Sequence, residues 1–480
     1  MHPVYQKWRE WPLFQSKSRG VVPTNRIGQT VQQSAKKGAL GVPQLILIGV
    51  GGIIGAGFFL GAGLPIRTAG PAVLIAFLLG AIVTAQVAGA LTSLAVYQPV
   101  KGSFMVYTQE YIGNFAGFLE GWGYYISSIL VIASEAVAMS VFTKMWLPSI
   151  PAWMTTSIFA LIILLINAFG TKNFSYIESL MSVIKIAALV GFIFLLGLEW
   201  FGAIGDKSLA FSHGAFSSPF FSKGVSGLFQ SMLIVIFAYA GIGVFGTAAS
   251  EIRNPAHLEL AAWSTILVLT VLYIVSIMLL MFVVPLRYIS TNMSPFVIAL
   301  AHTGIPFLAT IFNGIILIAS FSVMAGSVFS ANQILYGLGE MNDSPKFVTR
   351  TGKNNVPYGA LLVTAVAIAL TIVISYLLPA NVYNFLISAS SFLTLLTWFL
   401  ILWAFLSWYR KTRHDHVFIS TLAFGQPVIT VIIMLVLLFL TGYALLQRDQ
   451  RFGFYAFLVI MVLMSVTYLF VRRKHRHSVG

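Results

Sequence analysis

Apolar stretches long enough to cross a bilayer recur along almost the whole of this chain, and that recurrence limits what it can fold into. Within lipid, every backbone N–H and C=O must be satisfied internally, which leaves helices and closed barrels. Runs of roughly 20 apolar residues, rather than short alternating segments, select helices. Twelve such runs lie near residues 42–66, 70–97, 112–146, 150–170, 177–200, 224–250, 259–285, 306–338, 357–378, 382–409, 417–446 and 452–471. Charged residues make up 9% of the chain, against about 25% in a soluble domain. The expected fold is an all-α integral membrane protein of about twelve transmembrane helices.

The net charge of +15 at first suggests nucleic acid, but its placement argues against that. Lys7, Arg9, Lys17, Arg19, Arg26, Lys36 and Lys37 precede the first span. Loops on that side add Lys101, Lys172, Arg253, Lys346, Arg350, Lys353 and Arg410-Lys411-Thr412-Arg413, and the tail adds Arg472-Arg473-Lys474-His475-Arg476. With Lys185 left aside inside a span, the bases divide 20 to 7 between the two faces. Basic loops stay in the cytoplasm, so both termini are expected there, in a cytoplasmic (plasma) membrane. The polar first forty residues do not read as a cleavable signal peptide. Residues 1–38 form a basic arm that fits either an interfacial segment or a solvated tail. Residues 39–472 are expected to form one transmembrane domain, and 473–480 a short tail. Cysteine is absent, so no disulfide framework or thiol nucleophile is possible.

Two spans are interrupted by clustered glycines in corresponding places. One is Gly51-Gly52-Ile53-Ile54-Gly55-Ala56-Gly57-Phe58-Phe59-Leu60-Gly61 and the other is Phe237-Ala238-Tyr239-Ala240-Gly241-Ile242-Gly243-Val244-Phe245-Gly246. Irregular backbone at membrane depth is tolerated only where it lines protein or a watery cavity. A matched pair of broken helices is the sequence pointer to a transporter's binding site. Their spacing of roughly 190 residues predicts a 5+5 inverted repeat, over about 42–200 and 224–409, with discontinuous helices 1 and 6 and two further helices over 417–471. Small-residue helix packing through Gly57 and Gly61 is the plainer reading. On the functional reading, Ile54, Gly55, Ala56 and Gly57 offer N–H groups to a carboxylate. Ala240, Gly241 and Gly243 offer carbonyls to an ammonium, and Phe58, Phe237 and Tyr239 wall off the substrate side chain.

Gly52-Ile53-Ile54-Gly55-Ala56-Gly57-Phe58-Phe59 resembles the first-helix signature of the amino acid–polyamine–organocation superfamily, particularly its bacterial permeases related to the GABA permease. Pro99-Val100-Lys101-Gly102-Ser103-Phe104, Gly121-Trp122-Gly123-Tyr124, the run from Phe237 to Pro255, Ser294-Pro295-Phe296 and Leu335-Tyr336-Gly337-Leu338 are similar to further motifs of that family in the same order. The resemblance implies a leucine-transporter-like fold and uptake of amino acids driven by a proton gradient, with no cofactor and no enzyme activity. Lys185 in span 5 would stand where sodium-driven relatives hold their ion. Glu135 in span 3 would gate or handle protons. The plainer reading of Lys185 is a side chain snorkelling to the interface. Glu120 is expected at the interface, and Glu251 as a brace for the turn at Asn254-Pro255. Ser390-Ser391 is similar to the family's helix 10 pair, although Phe392 follows where glycine is usual.

Three departures concern charge. Relatives usually carry an acid where this chain has Ser93, another at Gly243, and an arginine where Gln333 stands. Loss of the acid at Gly243 favours neutral amino acids over cationic ones. Loss of all three together would spare the chain a lone buried charge. An amino acid exchanger, a carrier of another small amine and a transporter-like sensor remain alternatives. In each case the partners are a small solute and the lipid bilayer.

Overall fold

The computed structural model describes residues 41–100, 102–168, 174–204, 214–243, 256–290, 293–352, 356–377, 382–413 and 417–478. The basic arm, Gly246, Glu251, Asn254 and Pro255 therefore lie outside the described residues. Helices make up the fold: α1 (Val42–Ile53), α2 (Ala56–Phe59), α3 (Gly63–Ala69), α4 (Val73–Tyr97), α5 (Phe104–Tyr111), α6 (Asn114–Thr143), α7 (Ala152–Ala168) and α8 (Phe174–Trp200). They continue with α9 (Gly224–Tyr239), α10 (Ala256–Val283), α11 (Pro295–His302), α12 (Leu308–Glu340), α13 (Tyr358–Leu377), α14 (Val382–Thr412), α15 (Val428–Tyr443) and α16 (Arg448–Ser478). With α1 to α3 counted as one broken span, the further apolar helices α4, α6 to α10 and α12 to α16 bring the crossings to twelve.

Span 1 is broken as the glycines predict. Helix α1 ends at Ile53, and Ile54 (φ −77°, ψ 103°) and Gly55 (φ −144°, ψ −160°) are extended before α2 begins. Helix α9 likewise ends at Tyr239, with a turn at Ala240-Gly241. The two interruptions meet. A Cβ added to Gly241 would strike the backbone of Gly52, with its carbonyl carbon at 2.7 Å and Ile53 Cγ1 at 2.8 Å. Only a residue without Cβ lets two backbones come this close.

The long helices α12 and α14 both pack on α6, while α1 packs against α8 and α10, and α9 against α3 and α4. In the apolar window of Val382–Thr412, 83% of residues are buried, against 17% for Gln450–Arg472. Thus α14 is an interior helix, whereas α16 turns Tyr455, Val459, Leu463 and Phe470 outward, as lipid contact requires. Phe392 faces α16 rather than the interior path, its ring 5.4 Å from Phe454 and 5.9 Å from Phe457. That contact accounts for a large ring where glycine is usual.

Gly241→Ala is expected to destabilise the protein by about 1–3 kcal/mol, the usual cost of forcing atoms into a filled site. Gly442→Ala, where an added Cβ meets nothing within 4 Å, should leave the thermal midpoint of the detergent-solubilised protein unchanged.

Candidate functional site

The break in span 1 leaves one helix ending in carbonyls and another starting with N–H groups, and side chains of opposite charge hold the two ends. The Lys185 ammonium of α8 donates to the carbonyls of Gly51 and Ile54, the latter at 3.2 Å. The Glu135 carboxylate of α6 accepts the Ala56 N–H at 2.9 Å through Oε2, and the Gly57 N–H at 3.4 Å through Oε1. A cation at a helix C-terminus and an anion at an N-terminus are the arrangement the helix dipole favours. Tyr383 of α14 completes the break, donating its hydroxyl to the Ala56 carbonyl at 2.9 Å. Lys185 is wholly buried, so it does not snorkel to the interface.

Glu178, one helical stretch before Lys185 on α8, is also wholly buried. It accepts the Ser322 hydroxyl at 2.6 Å and interacts electrostatically with Lys185, as Glu135 does. The sequence reading overlooked Glu178. Its signal was the seven-residue spacing from Lys185, which puts both on one helix face.

A cavity lies against the break. Its walls include Gly57, Glu135, Phe237, Ala240, Gly241 and Gly243, all expected at the site. Tyr124, Ser127 and Ser128 of α6 and Thr394, Thr397 and Trp398 of α14 complete its sides. Ser127 and Ser390 share a hydrogen bond of 2.9 Å across these helices. Leu91 and Ile401 also line the cavity, so it extends toward the end of the bundle where α4 and α14 finish and α6 begins. At the opposite end Ile234, Phe237 and Ile387 pack with Leu64, Val131 and Tyr383 into an apolar plug.

Two aromatic residues do not wall the cavity as expected. Phe58 lies on the face of α2 away from it, stacked on Tyr273 at 3.8 Å and 11°. Tyr239 packs 6.2 Å from Phe77 and 5.2 Å from Tyr273, its hydroxyl donating to the Phe77 carbonyl at 3.3 Å. One residue of helix rotation from Gly57 turns Phe58 into this aromatic core. Ile54, Gly55 and Ala56 form the break itself, and a Cβ at Gly55 would lie 2.7 Å from Val323 Cγ2 and 2.8 Å from Glu135 Oε1.

The three positions at which the family resemblance implies a lost charge have separate surroundings here. A Cβ at Gly243 would lie 2.8 Å from the Tyr124 hydroxyl, so the ring occupies the space a side chain would need. Ser93 accepts the Ser420 N–H at 2.9 Å, in a loop that Glu259 of α10 also binds. Gln333 is half-buried beside Asn332, which accepts the Thr364 hydroxyl at 2.8 Å. Glu120, expected at the interface, is fully buried, because α5 and α14 cover that end of α6.

A bundle with two meeting helix breaks, opposite charges at the ends of one break and a cavity beside them defines a membrane carrier. The chain belongs to the Amino acid permease family, whose match covers residues 44–479. It is 32% identical over 442 residues to an uncharacterized transporter, YcgH, of Bacillus subtilis, covering 92% of this chain and 97% of that one. It is 28% identical to the aromatic amino acid transport protein AroP of Escherichia coli over the same shares of the two chains. A gamma-aminobutyric acid permease of Bacillus subtilis is 31% identical over 77% of this chain and 79% of its own. The fold also matches a manganese transporter of Eremococcus coleocola, with a TM-score of 0.56 at 13% identity over 94% of this chain and 97% of the other.

Lys185→Met should cost about 1–3 kcal/mol, the usual penalty for buried acceptors left without their donor, here the Gly51 and Ile54 carbonyls. It also removes the positive charge that acts on Glu178. The double variant Lys185→Met/Glu178→Gln should recover part of that loss in thermal unfolding while remaining inactive in transport. Gly243→Ala should push the Tyr124 ring out of place and change substrate affinity more than stability, as titration of purified protein against thermal melts would reveal.

Proposed function

We propose that the protein is a proton-coupled importer of neutral amino acids in a bacterial plasma membrane, with both termini in the cytoplasm. The observation that supports this reading is the pairing of Glu135 with the Ala56 and Gly57 N–H groups. Those donors are the ones a substrate carboxylate would seek at the first break. Substrate and ionised Glu135 therefore compete for them. A proton on Glu135 weakens its hold and frees the donors, which links substrate binding to proton binding. Return of substrate to the cytoplasm reverses the exchange. Lys185 keeps the end of α1 in place by binding Gly51 and Ile54, without requiring a metal ion.

Among the described residues that line the cavity Glu135 is the single acid and none is basic. With Glu135 engaged at the helix end, no described side chain of the cavity complements a cationic substrate, which favours neutral ones. The rings of Tyr124, Phe237 and Trp398 suit a large or aromatic side chain, in keeping with the aromatic amino acids named for the Escherichia coli relative. The cavity extends toward the end bearing the basic loops, which the charge bias assigns to the cytoplasm. The plug of Phe237, Ile387 and Tyr383 is then the barrier on the outer side.

Uptake of labelled amino acids into proteoliposomes tests the reading. An inward proton gradient should drive accumulation of a neutral group, and an uncoupler should abolish it. Glu135→Gln should lose gradient-driven accumulation while retaining exchange of internal for external substrate. Accumulation indifferent to the uncoupler would overturn the coupling, and uptake seen only into preloaded vesicles would make the protein an exchanger.

A further inference from the structure

Glu120 is a carboxyl that the transport reading leaves unused. It is 0% exposed, and neither of its oxygens has a hydrogen-bond partner among the described residues. Removing an isolated carboxylate from water is costly unless a compensating charge or donor meets it. Two neighbouring elements bring further buried oxygens without partners among the described residues, Thr108 Oγ1 of α5 and Thr397 Oγ1 of α14.

Packing registers place these three groups at one level. Helix α5 runs antiparallel to α6: Phe104 lies 4.8 Å from the Tyr124 ring, and Cβ atoms at Gly121 and Gly117 would meet Met105 and Gln109. One turn along from the Phe104–Tyr124 pair, Thr108 comes level with Glu120. Helix α14 is also antiparallel to α6, with Ser127 bonded to Ser390 and a Cβ at Gly123 meeting Leu396 at 3.8 Å. Continuing that register puts Glu120 between the levels of Thr397 and Ile401, both of which line the cavity. Glu120 also falls on the stripe of α6 that carries Tyr124, Ser127 and Val131, all cavity-lining. Fifteen residues of helix separate it from Glu135, about 22 Å at 1.5 Å per residue. It is thus remote from the broken-helix site. The nearby base Lys411 is exposed and lies over the Tyr111 ring at 5.5 Å.

We propose that Glu120, Thr108 and Thr397 form a station for a small monovalent cation, either an alkali-metal ion or the ammonium group of an amine, at the end of the cavity remote from the Phe237 plug. A carboxylate with two hydroxyls is an oxygen-only set, which suits hard cations and ammonium, and the carboxylate charge repels an anion. A proton on Glu120 would supply one donor, enough for one threonine oxygen and not for both. A cation between the three helices gives every one of these oxygens a role. The station goes beyond the transport reading, since it assumes neither which amino acid is carried nor how its movement is driven.

Thermal unfolding of the full-length protein in detergent, with no amino acid present, tests it. Sodium, potassium and methylammonium chlorides are titrated at constant ionic strength against choline chloride. A saturable rise in midpoint with sodium or potassium identifies an alkali ion, and one with methylammonium identifies an ammonium group. In either case the rise should vanish in Glu120→Gln and shrink in Thr108→Val and Thr397→Val. If Glu120→Gln does not fold, the two threonine variants carry the comparison alone. A response equal to that of choline, or one retained in full by the variants, overturns the proposal. Because the readout needs no amino acid, loss of the transport reading would leave this result standing, and the converse holds as well.

Discussion

The pairing of opposite charges with the two ends of the first helix break is the interaction on which the rest of this molecule depends. An interrupted helix in lipid leaves carbonyls at one end and N–H groups at the other, and each is costly without a partner. Lys185 meets the carbonyls and Glu135 meets the N–H groups. Each charge is in turn tolerable in the interior because a helix end of opposite polarity faces it. The break and the charges therefore stabilise one another, and neither would persist at this depth alone. Glu178 lies in the same electrostatic set and is tied to α12 through Ser322.

The arrangement also explains why the cavity sits where it does. Gly241 lets the end of α9 press on Gly52, and the bare surface of Gly57 accepts the Phe237 ring, 2.7 Å from an added Cβ. The plug at one end of the cavity is thus built from the same broken segments that form its floor. Movement of α9 relative to α1 would alter the plug and the donors at the break together. Such a linkage is what alternating access requires of a carrier with discontinuous helices.

Glu120 and Gly243 illustrate how far local sequence carries an argument. A glutamate six residues into a helix reads as interfacial, since nothing in its own segment reveals that α5 and α14 fold over it. Gly243 reads as the loss of an acid, yet the space beside it is already filled by the Tyr124 ring, which comes from another helix. Phe58 and Tyr239 show the same limit from the other direction. Their position next to the glycines suggests a cavity wall, but helix rotation sends them into the aromatic core around Tyr273.

What the sequence determined by itself was everything that follows from composition and local backbone chemistry. Hydropathy and the scarcity of charge specified spanning helices, because lipid permits few alternatives. The glycine clusters located the break at Ile54-Gly55 and the turn at Ala240-Gly241, because backbone interruption is written in the residues that undergo it. Only the tertiary structure decided what meets those interruptions. That Glu135 rather than solvent holds the Ala56 N–H, that Lys185 reaches the end of α1, and that Tyr383 completes the break all depend on contacts between residues 79 to 327 positions apart. Such contacts are set by how helices pack on one another, and no periodicity within a single helix records them.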